Sequence, residues 1–350
     1  MKVGDLSPKK IAEFTLPVLT AGIENQGLNN YAPRDNATIL KNVISISANG
    51  ANTGATFYQN KEFTVLQDAY AISFKEELLN DNQYLFLTGA IAKSIYGNFA
   101  WTDKAGWEKV KKEFIQLPTK DGKIDFEFMD ACIRELEEER IRELSAYLTV
   151  SGLDNYELSS EEKESLEKFN LEIDTWKLFK VQDVFDVRSS KKRFDANKVE
   201  ILNYGFPYIV RMSTNNGIKG YINQDEQLLN QGNTIAFGQD TATMFYQENP
   251  YFTGDKIKIL ECKYDNFNKI NSMFLISVMR KSFSTFSWGA NSFSEKVINN
   301  QEIKLPTKDG KIDFEFMELL ISAVQKLVIK DVVLYADEKI QSTKKIVKES

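Results

Sequence analysis

The residues from Arg188 to Phe194 read RSSKKRF, four positive charges and two hydroxyls placed just after a strand-like run. Lys, Arg and Ser at a loop edge are the groups that contact phosphate oxygens, although a charge run is more often only a solvated face. Behind the apolar FPYIV come Arg211, Asn215, Asn216 and Lys219. Arg and Asn can make paired hydrogen bonds to guanine or adenine edges, against the plainer reading of Asn216-Gly217 as a turn. A third polar group, Gln239, Asp240 and Thr241, follows another apolar run. Two enzymatic look-alikes carry less. ENPYF at Glu248 to Phe252 lacks the second proline of an Asn-Pro-Pro-Tyr amino-methyltransferase site, and no Gly-rich cofactor strand accompanies it. Asp255, Glu261 and Lys263 have the residue types of a Mg²⁺-dependent nuclease. Their spacing is short and nothing around Asp68 to Lys75 matches them, so they read as one exposed strand.

What is missing narrows the field further. With no histidine in the chain, the base of a Ser/His/Asp or Cys/His hydrolase is absent. Cys132 and Cys262 alone supply neither a usual zinc site nor a disulfide framework, and they suit a reducing compartment. Hydrophobic residues at 42% are enough to fill real cores, and 350 residues exceed what one core usually organises. No apolar run approaches the ~20 residues of a membrane span, and MKVGDLSPKK holds no signal-peptide core, so a soluble cytoplasmic protein is expected. The net charge of −6 is unevenly spread: residues 1–115 hold 12 basic and 12 acidic side chains, 116–175 hold 7 and 17, 176–303 hold 16 and 13, and 304–350 hold 9 and 8. The block containing RSSKKRF is thus +3, a weak footprint for nucleic acid that would need help from a partner.

An internal repeat organises these pieces. LPTKDGKIDFEFM at Leu117 to Met129 recurs unchanged at Leu305 to Met317, an offset of 188. At the same offset Phe57, Tyr58 and Gln59 meet Phe245, Tyr246 and Gln247, Gly50 meets Gly238, and Thr53 meets Thr241. Shifted by two, Pro17 meets Pro207, and Asn25 to Leu28 (NQGL) meets Asn215 to Ile218 (NNGI). The chain is a tandem duplication, which implies pseudo-twofold symmetry.

Each copy opens with short apolar stretches between Gly, Asn and Thr clusters, a mostly β pattern with helical pieces such as Asn271 to Lys281. Pro118 or Pro306 then breaks the chain, Asp121-Gly122 or Asp309-Gly310 turns it, and Asp125 or Asp313 is placed to cap a helix. Phe126, Met129, Ile133, Leu136, Leu144 and Leu148 form one apolar seam, and Met317, Leu320, Val324, Val328 and Tyr335 another. Two helices of ~20 to 35 residues packing on each other are predicted. Gly152 stops the first, and Ser159 with Glu162 reads as a capping box for a short acidic connector helix. The expected division is 1–115, 116–150, 151–175, 176–303 and 304–350. The FYQ pair is assigned to core or sheet register, and Trp101 and Trp288 to buried packing.

The block openings KVGDL at Lys2 to Leu6 and WKLFKVQDVF at Trp176 to Phe185 carry a family resemblance, together with GQDTATMFYQ at Gly238 to Gln247 and FSWGANSF at Phe286 to Phe293. So do the repeated LPTKDGKIDFEFM and the segment from Tyr147 to Phe169. In this order the chain resembles the DNA-specificity (S) subunits of type I restriction-modification systems, and among them the compact ones of type IIB and IIG systems. The resemblance implies an α+β (α/β) fold: two target-recognition domains held by two long antiparallel helices in a coiled coil, each domain reading half of a bipartite double-stranded DNA target. It implies a non-catalytic chain without cofactor or metal, whose partners are two DNA adenine methyltransferase subunits and restriction subunits, using S-adenosylmethionine, Mg²⁺ and ATP. DNA contacts are then expected from Lys9, Lys10, Asn25, Gln26, Asn49, Asn52, Thr53, Arg188, Ser189, Ser190, Lys191, Lys192, Arg193, Arg211, Asn215, Asn216, Lys219, Gln239, Asp240, Thr241 and Asn291. The alternatives are the recognition subunit of a type IIB or IIG enzyme, and a repeat scaffold that binds protein or glycan without DNA. The first domain is shorter at its start, before Pro17, than the second is before Pro207, so the two halves should not read DNA identically.

Overall fold

A computed structural model describes residues 6–75, 79–284 and 293–349. The chain divides into two compact units, one of residues 1–146 with 338–350, the other of residues 147–337.

Unit 1 begins with β1 (Leu16–Leu19), β2 (Leu28–Ala32), β3 (Val43–Ser47), β4 (Thr56–Gln59), β5 (Thr64–Val65) and β6 (Ala69–Ile72). β1 pairs antiparallel with β2 and parallel with β5 in a small sheet, while β4-β3-β6 form an antiparallel one. The β-branched VISIS of β3 is buried on both faces, as a central strand requires. A helix over Asp81–Ile95 starts at an Asn80–Gln83 capping box and packs Tyr84, Leu87 and Ile95 with Ile44, Ile46 and Tyr58. The Tyr58 and Tyr84 rings stack at 5.0 Å. Next comes a hairpin, β7 (Thr119–Lys120) and β8 (Lys123–Ile124), turned by Asp121 (φ 52°) and Gly122 (φ 77°). Positive φ at both central residues is the condition that selects Asp-Gly there.

Unit 2 repeats this plan over β9 (Lys177–Lys180), β10 (Phe185–Ser189), β11 (Phe206–Ile209), β12 (Ile218–Ile222), β13 (Thr234–Gly238), β14 (Met244–Gln247), β15 (Phe252–Thr253) and β16 (Ile257–Cys262). The helix Lys269–Phe283 follows, with β17 (Glu302–Leu305), β18 (Thr307–Lys308) and β19 (Lys311–Ile312) after it. β12-β11-β15 matches β2-β1-β5, and β16-β13-β14 matches β6-β3-β4. The longer start of the second copy supplies β10, which adds a fourth strand beside β16. Its core gathers Phe185, Phe237, Leu260, Leu275, Met279 and Phe283.

Register corrects one sequence alignment. Ile44 lies opposite Tyr58 as Ile235 lies opposite Tyr246, and Ser47 N–H donates to Ala55 O as Gly238 N–H donates to Thr243 O (2.9 and 2.8 Å). Gly238 therefore corresponds to Ser47 and not to Gly50, because the β3–β4 loop is three residues longer than its counterpart.

The long helices run over Phe126–Val150 and Phe314–Glu349. Asp125 and Asp313 cap them, accepting the N–H groups of Phe128 (2.9 Å) and Phe316 (3.0 Å). The first stops at Gly152 (φ 66°), where Leu153 N–H donates back to Leu148 O at 2.8 Å. A second joint is also duplicated: Asn80 Nδ2 donates to Asp130 Oδ1 (3.1 Å) and Asn268 Nδ2 to Glu318 Oε2 (2.7 Å), each tying the N-cap of a domain helix to a carboxylate on a long helix. In unit 1 Lys339 Nζ meets Glu137 Oε1 at 2.6 Å, joining the last turns of the second long helix to the first.

Two expectations about helices change. The seam assigned to the second long helix is only half buried: Met317 and Leu320 are inside, but Val328 is 74% exposed and Val324 and Tyr335 are exposed with it, while Ala323, Val333 and Ala336 take the buried face. The connector helix, Ser160–Glu172, is more than an acidic spacer. Its capping residue Glu162 is buried, accepts from Ser159 N–H (2.8 Å) and Ser322 Oγ (2.6 Å), and pairs with Lys326 Nζ (2.9 Å). Burial pushes the Glu162 carboxyl up, but those hydrogen bonds and the ammonium outweigh it and hold its pKa below the usual carboxylate range.

Candidate nucleic-acid interface

The hairpin loops after β1 and β11 are the two places among the described residues where three residues in a row take positive φ. Asn25, Gln26 and Gly27 take φ of 47°, 57° and 89°, and Asn215, Asn216 and Gly217 take 49°, 52° and 76°. Left-handed conformations cost side-chain-bearing residues about 1 kcal/mol or more each, and such strain gathers at functional loops. Each loop closes with the same bond, Thr20 N–H to Gly27 O and Val210 N–H to Gly217 O, both 2.9 Å. Gly is needed third, since a Cβ on Gly27 would sit 3.0 Å from Thr20 O. The middle carbonyl is held from the neighbouring sheet: Gln59 Nε2 donates to Gln26 O (3.4 Å) and Gln247 Nε2 to Asn216 O (3.0 Å). Asn216 Nδ2 donates in return to Tyr246 O (3.0 Å), and Asn215 Nδ2 to Ile218 O (2.8 Å).

The glutamines of the FYQ pair therefore do more than fix register. Sequence reasoning missed this role, although their recurrence in both copies together with the two turns was the available signal.

In unit 2 the basic segment and the third polar group come to one end of one sheet. Ser189 of β10 lies opposite Lys258 of β16, which lies opposite Phe237 of β13, so the loops after β10 and β13 and the turn before β16 share that end. Only part of RSSKKRF is open charge. Arg188 pairs with Glu261 and Arg193 with Asp255, both at 3.1 Å. Ser189 Oγ accepts from Lys258 Nζ (2.8 Å), and Ser190 Oγ is buried without a hydrogen-bond partner among the described residues. Lys191 and Lys192 are exposed, the former with Nζ 3.3 Å from Gln227 O. These pairs also place the nuclease-like residues: Asp255 and Glu261 neutralise arginines, and Lys263 meets Asp186 at 3.2 Å. Of the three only Glu261 lies on β16, which runs between β10 and β13 with every residue buried or half-buried, while Asp255 and Lys263 flank it and are exposed, so the reading as one exposed strand holds only for its two ends. Tyr251 of ENPYF is fully buried, its hydroxyl 3.0 Å from Thr234 Oγ1, and belongs to the core.

In the loop after β13 Asp240 Oδ2 accepts from Arg211 Nη1, and Lys256 Nζ reaches the same oxygen at 2.9 Å. Gln239 is turned inward, Nε2 donating to Phe293 O (2.8 Å), and Thr241 Oγ1 meets Thr243 Oγ1 (2.9 Å). Both side chains hold the loop in shape, which removes them from the outward-facing set. Lys219 is exposed on β12.

In unit 1 Lys9, Lys10, Asn25 and Gln26 are exposed. Asn49 Nδ2 donates to Asp68 Oδ1 (2.9 Å) and Asn52 is half-buried. Thr53 is buried, its hydroxyl accepting from Ala105 N–H (2.9 Å), so it is a structural residue and not a contact. Trp101, expected in the core, is 72% exposed on a turn closed by the Ala100–Asp103 bridge. Trp288 and Asn291 lie outside the described residues. Among the described residues no group of three His, Cys, Asp or Glu could hold a metal ion, and no helix is long and apolar enough to cross a membrane.

Comparison with known proteins points one way. The family profile described as type I restriction modification DNA specificity domain matches residues 5–146 and again 173–333. The "Type II restriction enzyme BgcI specificity subunit S.BcgI" of Heyndrickxia coagulans is 30% identical over 148 residues. The match spans 42% of this chain and 42% of that relative's length. The crystal structure of a type I restriction-modification system S subunit from M. genitalium superposes with a TM-score of 0.52 at 15% identity, over 99% of this chain and 89% of that one. At that identity the likeness speaks for the fold.

Proposed function

The chain belongs to the type I restriction-modification DNA specificity family, whose members recognise DNA and do not catalyse, and on that premise we propose that its two units read the two halves of a bipartite double-stranded target. One observation carries this. The same frame, a strained loop pinned by a glutamine and a domain helix tied by its N-cap asparagine to a long helix, occurs twice with different residues at its tips. A duplicated mount with unlike tips is what two readers of unlike half-sites need.

The long helices, paired as an antiparallel coiled coil, would dock two adenine methyltransferase subunits. The exposed apolar stripe of Val324, Val328, Val332 and Tyr335 along the second supports a partner there. S-adenosylmethionine, Mg²⁺ and ATP would belong to methyltransferase and restriction subunits in the cytoplasm, with none in this chain. Sequencing adenine methylation in DNA from cells that carry the chain with its methyltransferase tests the reading: one bipartite motif is the expected result, and methylation without a motif would refute it.

The recognition subunit of a type IIB or IIG enzyme is a second reading, favoured by the 30% identity to a subunit of a type II enzyme. Copurification followed by mass measurement separates the two, through one partner that both cuts and methylates or through separate subunits. A flat dependence of DNA affinity on salt, with the methyltransferase present, would instead favour a scaffold that does not bind DNA.

A further inference from the structure

Three loops of unit 2 meet around one carboxylate. Arg211 enters from the strained loop after β11, Asp240 from the loop after β13, and Lys256 from the turn before β16. The arrangement is braced from behind: Gln239 N–H donates to Lys256 O (3.0 Å), and Phe293 N–H donates to Gln239 O (2.9 Å). Gly238 makes room for it, since a Cβ there would lie 3.4 Å from Arg211 Cγ and 2.6 and 2.7 Å from the Thr243 and Thr241 hydroxyls.

A carboxylate on a surface that meets DNA repels phosphates, so its presence calls for a local use. Asp240 neutralises one of two cations and anchors the Arg211 guanidinium at Nη1. That leaves Nε and Nη2 without a partner among the described residues, and about a third of the side chain stays open to solvent. A guanidinium held by a carboxylate at one corner, with donors free at the other, matches the paired O6 and N7 acceptors that guanine shows in the major groove.

Unit 1 gives the contrast. Ala48 N–H donates to Asp68 O (2.9 Å) as Gln239 N–H donates to Lys256 O, and the hairpin loops close alike, so Ala21, Asn49 and Asp68 stand where Arg211, Asp240 and Lys256 stand. The contact between the last two persists as Asn49 Nδ2 to Asp68 Oδ1, but the formal charge is −1 where unit 2 has +1, and no guanidinium is present.

We propose that Arg211, held by Asp240 and Lys256, is a guanine-reading head of unit 2, with Asp240 its positioning residue, and that unit 1 reads no guanine from the equivalent place. This rests on the two-reader function above. The test uses the full chain assembled with its methyltransferase, titrated against duplexes in which each base pair of the recovered target is varied in turn. Arg211→Ala should erase the preference for one G·C pair in the half-site read by unit 2, a loss of roughly 5- to 150-fold. The preferences of the other half-site should be unchanged, which also certifies folding. Asp240→Asn should raise affinity for duplexes lacking that guanine, because two cations are released toward phosphates, and so narrow discrimination at the same pair. A merely structural aspartate would instead weaken all duplexes alike. If Arg211→Ala lowers affinity equally for every duplex and reduces the salt slope, Arg211 is a phosphate contact and the proposal falls while the function stands. A wild-type complex with no sequence preference overturns both.

Discussion

Unit 1 and unit 2 agree where they are mounted and differ where they point outward. The mounts match almost atom for atom: Asn80 to Asp130 and Asn268 to Glu318, Asp125 and Asp313 as caps, and Lys120 to Glu127 and Lys308 to Glu315, both at 3.8 Å. The tips diverge in charge, in loop length and in strand count, since among the described residues only unit 2 has a strand in the place of β10 and the basic loop it launches. A frame that serves both units has to satisfy the same helix ends twice, and that holds its chemistry fixed. A tip, on the function proposed above, has to satisfy only its own half-site.

The comparison can be broken most forcefully by exchange. Replacing residues 1–115 with the block 176–303 places a second copy of the richer tip on a mount that already fits it. The chimera should fold and recognise two copies of one half-site in opposite orientation. Recovery of the parental motif in methylation sequencing would show that recognition is not carried by these blocks. A smaller effect is expected from Lys191→Ala, Lys192→Ala and Arg193→Ala together, which strip the loop that unit 1 lacks. Affinity should fall alike for all sequences, with the slope of log K against log salt reduced by up to ~0.9 for each phosphate no longer neutralised. An unchanged slope in a salt titration would separate RSSKKRF from the interface.

Glu162→Gln addresses the mount of unit 2 alone. It should cost roughly 1.5–3 kcal/mol in denaturant unfolding, the worth of hydrogen bonds to a charged group. Because the folded Glu162 carboxyl has its pKa lowered, its contribution is complete above the ordinary carboxylate pKa and fades as pH falls through the folded value. Stability of the wild type should therefore drop more steeply with acid than that of the variant. The smallest difference lies between the two pinned turns: Gln247→Ala should loosen its loop more than Gln59→Ala, by about 1 kcal/mol, because its bond is shorter (3.0 against 3.4 Å) and its side chain is buried. Amide exchange at Gly217 and Gly27 would read it, and equal protection would make the two frames indistinguishable.

How far the sequence revealed this follows from the range of the forces involved. Caps, the Asp-Gly hairpins and the capping box at Ser159 depend on residues three or four apart, and they were legible one by one. The seam of the second long helix was misjudged because Val328 is apolar yet exposed, while small Ala323 and Ala336 take the buried face. Candidate residues in loops were recognisable by type but not by partner. Nothing local to RSSKKRF announces that Asp255 and Glu261, more than sixty positions away, will pair its arginines. Thr53 fell the other way, an apparent surface hydroxyl consumed by Ala105 N–H.

The division of the chain has a consequence for how it is made. Unit 1 is interrupted: it contains everything to Ala146 and then the turns from Glu338 onward, where Lys339 meets Glu137. Translation at about 5–20 residues per second places roughly 10 to 40 s between those two parts. The whole of unit 2 emerges from the ribosome in that interval and can fold in it, while the first long helix waits for Lys339 to reach Glu137. Synthesis order and completion order are thus reversed, and the unit that starts first is finished last.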